Sequence, residues 1–552
     1  MPSEQSYSTY FPWACIALVL FAVWRRNRAR YEGVRALPTP VMQDGAETLW
    51  GHEKAIFTGT PGVAIRRWSQ EIGLTFRIKA ALGAKDILVL GDPGGITHIM
   101  HRRIYDYHHS EVVRPRAARL LGKGVGWVEG EEEHRRLRNQ LAPALTRENV
   151  KAMSHEVRHG VAQVLDELTA HVATEGDEEP LNMVEWMSKL ALNVIGRAAF
   201  SFDFEGGNGP EARDILDGRH RGVAMAKRKA AFFLLMLLRR FTFLNKLPIP
   251  IIQAQGAARA AIHRGVAREL LRRDKDIGAK DSSNHRDLLT LMMDAYKSGE
   301  LTQQLMYDQI STYIVAGHET TSQTLAFTLY ELSRHPDKQQ RLREELDEFV
   351  GEPNYDDFNN RLPYLDAVMK EALRLYPALP YMERVATKED LIPLRYPVKG
   401  PDGRLITEVP ISPGQVRAVV VAVVGGVLTA DTDTTSFIQA VLIPIIAVHR
   451  MDHVWKDADE FRPERWLGDL PPREQLTSGW GNMLSFSDGP RHCPGIRLAV
   501  FEYKVVMTNI MKKFLIKDSG YNIQLGISSS LQSWAVGREE EGPWLPVRLE
   551  LL

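Results

Sequence analysis

Cys493 sits in the stretch Phe486-Ser487-Asp488-Gly489-Pro490-Arg491-His492-Cys493-Pro494-Gly495, which spaces an aromatic ring, two glycines, a base and a thiol around one turn. A thiol so placed can serve as a metal-bound thiolate. Its negative sulfur would be stabilised by the metal cation, by backbone N–H groups that a glycine-bearing loop turns toward it, and by the dipole of a helix starting near Ile496. The second cysteine, Cys15, lies near the opposite end of the chain. One thiolate cannot build a zinc finger or an iron–sulfur cluster, each of which needs several. A single axial thiolate on haem iron remains, set against the plainer reading of an inert cysteine in a turn.

Other stretches carry chemistry only in combination. Ala316-Gly317-His318-Glu319-Thr320-Thr321 interrupts a long helical pattern that begins near Thr302, with a glycine and adjacent threonines where stronger helix formers are expected. An acid followed by a hydroxyl can hold a water and deliver protons, and Gly317 would leave space beside the helix and relax its hydrogen bonding. The competing reading is a capping or solvent-facing Glu-Thr-Thr. His134 and Arg138 share a helical face within a basic run that includes Arg135 and Arg136, which by itself describes a surface helix. Glu371 and Arg374, three apart, are by themselves helix neighbours worth roughly 0.2–0.5 kcal/mol.

In chain order these stretches resemble the cytochrome P450 family. The cysteine loop resembles its haem-binding signature, Glu371-Ala372-Leu373-Arg374 its ExxR helix pair, Phe461-Arg462-Pro463-Glu464-Arg465-Trp466 its PERW segment, and Ala316 to Thr321 its oxygen-binding pattern. The resemblance spans nearly the whole chain, and Tyr105-Asp106-Tyr107-His108-His109 with the basic helix is similar to fungal microsomal members. It implies Cys493 as axial ligand of haem b (iron protoporphyrin IX), in a cofactor-binding loop with Phe486, Gly489, Arg491 and Gly495. It further implies that His134, Arg138, Arg384 and Arg491 meet the haem propionates, a task for which the planar guanidinium fork is suited. Glu371, Arg374 and Arg465 are implied to form a buried structural network, Thr320 to be the catalytic hydroxyl and Glu319 to belong to its proton relay.

The implied reaction inserts one oxygen atom from O2 into a hydrophobic small molecule, with a terpenoid or other secondary metabolite as the expected substrate. The alternatives are fatty-acid or xenobiotic hydroxylation, or an NADPH-independent haem-thiolate isomerase, whose relatives commonly lack the acid–alcohol pair. Electrons are expected from NADPH through a separate NADPH-cytochrome P450 reductase, with cytochrome b5 as a further partner, since no flavin or nicotinamide domain fits in the remaining length. Arg497 and the bases of the His134 helix are expected to face an acidic reductase. The family's variable contact zones put substrate near residues 105–127 and 230–247, Tyr313, Ala316, 378–382 and 528–532.

The elements that must position these groups are mostly helices. Apolar residues recur at three and four spacing over Glu129–Leu145, Asn182–Phe200, Ala257–Arg273, Thr302–Ser333, Pro336–Phe349, Pro363–Leu375 and Ile496–Leu515, while extended runs lie between Ile78 and Leu90 and near Val409 to Val420. The expected architecture is mainly α with small β-sheets: a cytochrome P450 fold, one large domain over residues 31–552, behind a membrane anchor at residues 1–30. Tyr10 to Trp24 is uncharged and mostly apolar, and Arg25, Arg26, Arg28 and Arg30 follow it. A cleaved signal carries its charge before the apolar run, so this order predicts an uncleaved single-pass anchor with the catalytic domain on the cytosolic face of the endoplasmic reticulum. As a helix the run reaches about 22 Å against roughly 30 Å of hydrocarbon, so it needs local thinning or an extension; the alternative is a buried hydrophobic helix. Leu37-Pro38-Thr39-Pro40 reads as a stiff linker into the body, and Ala230 to Leu238, followed by Arg239 and Arg240, as a helix lying in the membrane surface or buried.

Composition bounds the rest. With 44% hydrophobic and 25% charged residues the chain is globular, and 69 bases against 69 acids leave no net field to attract nucleic acid. Two distant cysteines exclude a disulfide framework and indicate a reducing compartment. Residues 417–441 depart from the family pattern: a Val-rich half and then Asp431-Thr432-Asp433-Thr434-Thr435-Ser436 separate Val416 from Leu442. The segment is expected to be either a translated intron or a genuine surface insertion, and in the second case to promote aggregation at a sheet edge unless it reaches the membrane.

Overall fold

A computed structural model describes residues 32–41, 49–176, 179–227, 229–277, 287–413, 420–424, 427–431 and 440–552. The expected anchor at residues 1–30 lies outside them. Among the described residues no helix is long and apolar enough to cross a membrane.

The longest periodic segment folds as one helix, Gln303–Arg334, and it is the axis of the molecule. Thr302 caps it, accepting from the Leu305 N–H at 3.2 Å. The glycine and threonines near residue 317 do not break it. Around it pack Met183–Phe200, Pro363–Leu375 and Ile496–Lys513, whose apolar faces merge with its own into the principal core. Pro363 opens its helix at a position where the missing N–H is no loss. The expected Ala257–Arg273 helix is divided by a wide turn at His263–Ala267. Ser154–Glu175 and Pro210–Lys227 are long helices that the sequence reading does not contain.

A five-stranded mixed sheet runs in the order Thr75–Ile78, Ile87–Leu90, Ala440–Ile443, Met382–Ala386 and Tyr107–His108. Four smaller sheets accompany it among the described residues, one of them the hairpin Ile523–Ile527 with Leu531–Ala535. The Leu37 to Pro40 segment is no free linker: Leu37, Pro38 and Pro40 are buried, and the Pro38 carbonyl accepts from Arg77 N–H at 3.0 Å. Within 417–441, Val420–Val424 and Val427–Asp431 pair antiparallel with each other and with no other described strand. Ala440 and Val441, at the far end of that segment, belong to the five-stranded sheet opposite Val385 and Arg384.

Candidate active site

The cysteine loop is closed by the Cys493 N–H donating to the Phe486 carbonyl at 2.8 Å. Gly489 is required on two counts: its φ is +63°, and a Cβ there would lie 2.0 Å from the Met100 carbonyl oxygen. Gly495 carries neither constraint; a Cβ there would rest 4.0 Å from the cysteine sulfur, in ordinary contact. Phe486 packs edge-on against Trp480, with ring centroids 5.3 Å apart. Cys493 itself is half-buried. Burial pushes its thiol up, opposed by the Gly495 N–H and the charge of Arg138. The helix Ile496–Lys513 begins just beyond, so the sulfur lies near its positive end.

Behind this loop, Glu371 and Arg374 are wholly buried on the Pro363–Leu375 helix. Glu371 accepts from Arg374 Nε and Nη2 at 2.9 and 2.8 Å, from Arg465 Nε at 2.9 Å, from the Arg462 N–H at 2.9 Å and from Trp466 Nε1 at 2.9 Å. Arg374 donates onward to the carbonyls of His449 at 2.9 Å and Ala458 at 2.7 Å. Burial raises the Glu371 carboxyl, but Arg374 and Arg465 outweigh it and hold it below the usual range. His449 continues the chain of contacts, its Nε2 accepting from the Leu484 N–H at 2.8 Å, two residues before Phe486.

A second charged cluster faces the loop. Arg491 donates to the Val128 carbonyl at 2.9 Å, lies 3.6 Å from Glu129 and stacks over the Tyr105 ring at 5.3 Å. Arg384, on the strand Met382–Ala386, is buried, with Nε and Nη1 free of hydrogen-bond partners among the described residues, and Arg491 Nε is likewise buried and without one among them. Burial and the neighbouring charge of Arg491 lower Arg384 to about 10. Glu129 receives the His109 N–H at 2.9 Å and its ring Nδ1 at 2.7 Å. Burial pushes Glu129 up, yet His109 and Arg384 leave it at about 2, while burial and Arg384 push His109 down to about 4. We read the pair as an anionic carboxylate accepting from a neutral imidazole.

His134 is also buried and pushed to about 4, by burial and then by Arg491 and Arg138, and its Nδ1 meets the Tyr105 hydroxyl at 3.1 Å. Arg138 turns to the cysteine loop instead, donating to the His492 carbonyl at 2.7 Å and to its ring Nε2 at 2.9 Å. Two buried guanidiniums facing one carboxylate leave positive charge and N–H donors unsatisfied, a costly state unless an anion enters. The haem that the sequence implies brings two propionates and needs a sulfur ligand, so the donor set fits it.

Between Asp308 and Ser333 the central helix is buried except at three residues: Ala316 is exposed, and Gly317 and Thr320 are half-buried. These lie on one face, which therefore opens onto space inside the fold. Thr320 Oγ donates to the Ala316 carbonyl at 2.7 Å, which uses its single donor and leaves its lone pairs able to accept. Gly317 has a different reason from the one expected, because a Cβ there would strike Ile195 Cδ1 and Cγ1 at 2.9 Å. It permits close helix packing rather than a relaxed helix. Glu319 points away, buried, paired with Arg219 and accepting from Ser529 Oγ at 2.8 Å and from Ser530 Oγ. Burial raises its carboxyl, but Arg219 and the two serines hold it below the usual range, as a fixed anion.

The expected substrate zones converge in part. Arg116 on the helix Val113–Leu120 donates to the Ser528 carbonyl, and the Leu531 N–H donates to the Ala378 carbonyl at 2.8 Å. Tyr313 is buried, within electrostatic reach of Cys493 and Arg138. Arg239 does not follow the apolar helix outward: it is drawn inside to Glu53 at 2.7 Å and Glu383 at 2.8 Å. The basic helix is largely self-neutralised, Arg135 by Glu131 and Arg136 by Glu133. Arg116, Arg219, His109 and Glu129 were not singled out from sequence; each acts through a partner 20 to over 400 positions away.

Comparison with known proteins agrees with this arrangement. The chain is 29% identical over 476 residues to Cytochrome P450 monooxygenase claQ of Ampulloclitocybe clavipes, covering 83% of this chain and 82% of the relative. It is 30% identical over 480 residues to claO of the same organism, covering 83% and 82%. Cytochrome P450 monooxygenase 205 of Postia placenta is 27% identical over 534 residues, covering 90% of each. The family profile described as Cytochrome P450 matches residues 48–400 and 439–526, passing over the segment that contains the unusual insertion. With the thiol loop, the buried ExxR network and the opened central helix in one fold, the chain belongs to the cytochrome P450 family of oxidoreductases.

Proposed function

We propose that the protein is an NADPH- and O2-dependent haem-thiolate monooxygenase that hydroxylates a hydrophobic secondary metabolite, a terpenoid in the first instance, at the endoplasmic reticulum membrane. The observation that carries this reading is the central helix, buried from Asp308 to Ser333 except at Ala316, Gly317 and Thr320. When bound, haem b supplies the redox chemistry that consumes O2 and two electrons, leaving one oxygen in the product and the other in water. The residues do the rest. Cys493 provides the anionic sulfur, and Arg384 and Arg491 provide donors for the propionates. Thr320 offers an acceptor at the opening, while Glu319, an anion held by Arg219, Ser529 and Ser530, sets the charge behind it. Sealing elsewhere keeps bulk water from the reacting face.

The membrane assignment is supported by an exposed apolar surface on and after the helix Lys229–Arg240, where Phe233, Leu237, Phe241, Phe243 and Leu247 are open to solvent. Exposed Arg497 supports docking of a separate reductase. The test is a microsomal assay with and without NADPH and reductase, preceded by the carbon monoxide spectrum of the reduced protein. Thiolate ligation and NADPH-dependent product are expected. Product without NADPH would make the protein an isomerase, and an imidazole-type Soret band would overturn the haem-thiolate reading.

A further inference from the structure

The cluster around Glu319 holds more positive than negative charge. Arg219 is matched: it pairs with Glu319, which also accepts from Ser529 and Ser530. Arg116 is not matched. It makes one hydrogen bond, to the carbonyl of Ser528 in the same turn, and no ion pair with any described residue. Burial and then the charge of Arg219 push it down, against the pull of Glu319, to about 10, so it stays protonated at neutral pH. Arg116 is half-buried, so its remaining donors stay open to a partner that enters.

The site has an apolar side. The turn between the strands Ile523–Ile527 and Leu531–Ala535 is tied by the Leu531 N–H to Ala378, and the next residue, Leu379, is exposed between buried Ala378 and Pro380. The same turn holds Glu319, one residue before Thr320 at the opening of the central helix. Arg116 and the central helix are therefore joined through one turn, Ser528 to Ser530, with apolar surface beside it.

We propose that Arg116 is a specificity-determining residue that binds the carboxylate of an acidic, otherwise hydrophobic substrate, whose apolar body then extends toward Ala316, Gly317 and Thr320. This deepens the monooxygenase reading and rests on it. The guanidinium fork matches a carboxylate with two parallel bonds, and fixing that end directs oxidation to a carbon remote from the acid. The enzyme would thus act after a reaction that generates the carboxylic acid.

The full-length holoprotein is titrated with dodecanoic acid, abietic acid and the methyl ester of each, following the spin-state shift of the Soret band. The acids are expected to bind at least about tenfold tighter than their esters, and Arg116→Gln, which keeps a donor for Ser528 but no charge, to weaken the acids alone by a similar factor. Esters that bind as well as the acids, or a variant that weakens both alike, would overturn the proposal. A second measurement needs no ligand: substrate-free Arg116→Gln should melt at or above the wild-type temperature, because an unmatched charge is removed. A lower melting temperature would identify Arg116 as a brace for the Ser528 turn and overturn the assignment. The carbon monoxide spectrum of the same wild-type sample reports separately on thiolate ligation, so failure of the underlying reading is told apart from failure of this one.

Discussion

Glu371 accepts five hydrogen bonds from four residues and is wholly buried. Glu371→Gln replaces an acceptor-only group with one that must also donate, against two buried guanidiniums. The expected cost is roughly 3–5 kcal/mol. Holoprotein should fail to accumulate, measured as carbon monoxide-reactive haem per unit of expressed chain. Thr320→Ala is the opposite case. It removes one half-buried hydroxyl bonded within its own helix, so folding and haem content should stay near wild type while product per NADPH falls several-fold, read by product and NADPH assays together. His449 gives the pH dependence. Its Nε2 must accept from Leu484, and burial with the charge of Arg374 pushes the ring down to about 3. The unfolded chain binds that proton near pH 6.5 and the folded one does not, so stability falls as pH drops from about 6.5 toward 3, at up to about 1.4 kcal/mol per pH unit for this one group. Urea midpoints between pH 4 and 7 should show a shallower slope for His449→Gln than for the wild type.

Helix packing explains a residue that local chemistry misreads. Gly317 looks like a device for loosening the central helix, yet the helix is continuous and the glycine lies against Ile195 of Met183–Phe200. Gly317→Ala should cost about 1–3 kcal/mol by overpacking, and less in an Ile195→Ala background that vacates the space. Equal costs in the two backgrounds, measured by denaturant unfolding of the holoprotein, would show that conformational freedom and not contact is what matters. The example marks what sequence makes legible. Motifs whose parts are close in the chain, such as the Phe486 to Gly495 loop, Glu371 with Arg374, and the central helix itself, can be read from spacing because neighbours in sequence are neighbours in space. Gly317 against Ile195, Arg219 with Glu319, and His109 with Glu129 are set by how distant helices and loops meet, which no periodicity encodes. Leu37 to Pro40 fails for the same reason, since its prolines read as a spacer until the strand that receives the Pro38 carbonyl is in place.

The whole molecule poses the question of residues 417–441. The five-stranded sheet needs a strand between Ile87–Leu90 and Met382–Ala386, and Ala440–Ile443 supplies it, with Val441 opposite both Leu88 and Arg384. Joining Val416 directly to Leu442 would place a valine in that same position with Gln415 before it, so the sheet and the register of Arg384 survive the deletion. Meanwhile Val420–Val424 and Val427–Asp431 pair only with each other among the described strands, and an isolated two-stranded hairpin contributes little independent stability. We therefore expect a chain lacking 417–441 to bind haem with an unchanged carbon monoxide spectrum and to be more soluble than the full chain, because a Val-rich edge is removed. The shortened chain and the transcript test different things. Loss of haem binding on deletion would show that the segment carries part of the path from Ile411 to the sheet, and a message that retains these codons throughout would make it a true insertion. Retained haem with a spliced message would make the shorter chain the working enzyme, with Val416 beside Arg384 in place of Val441.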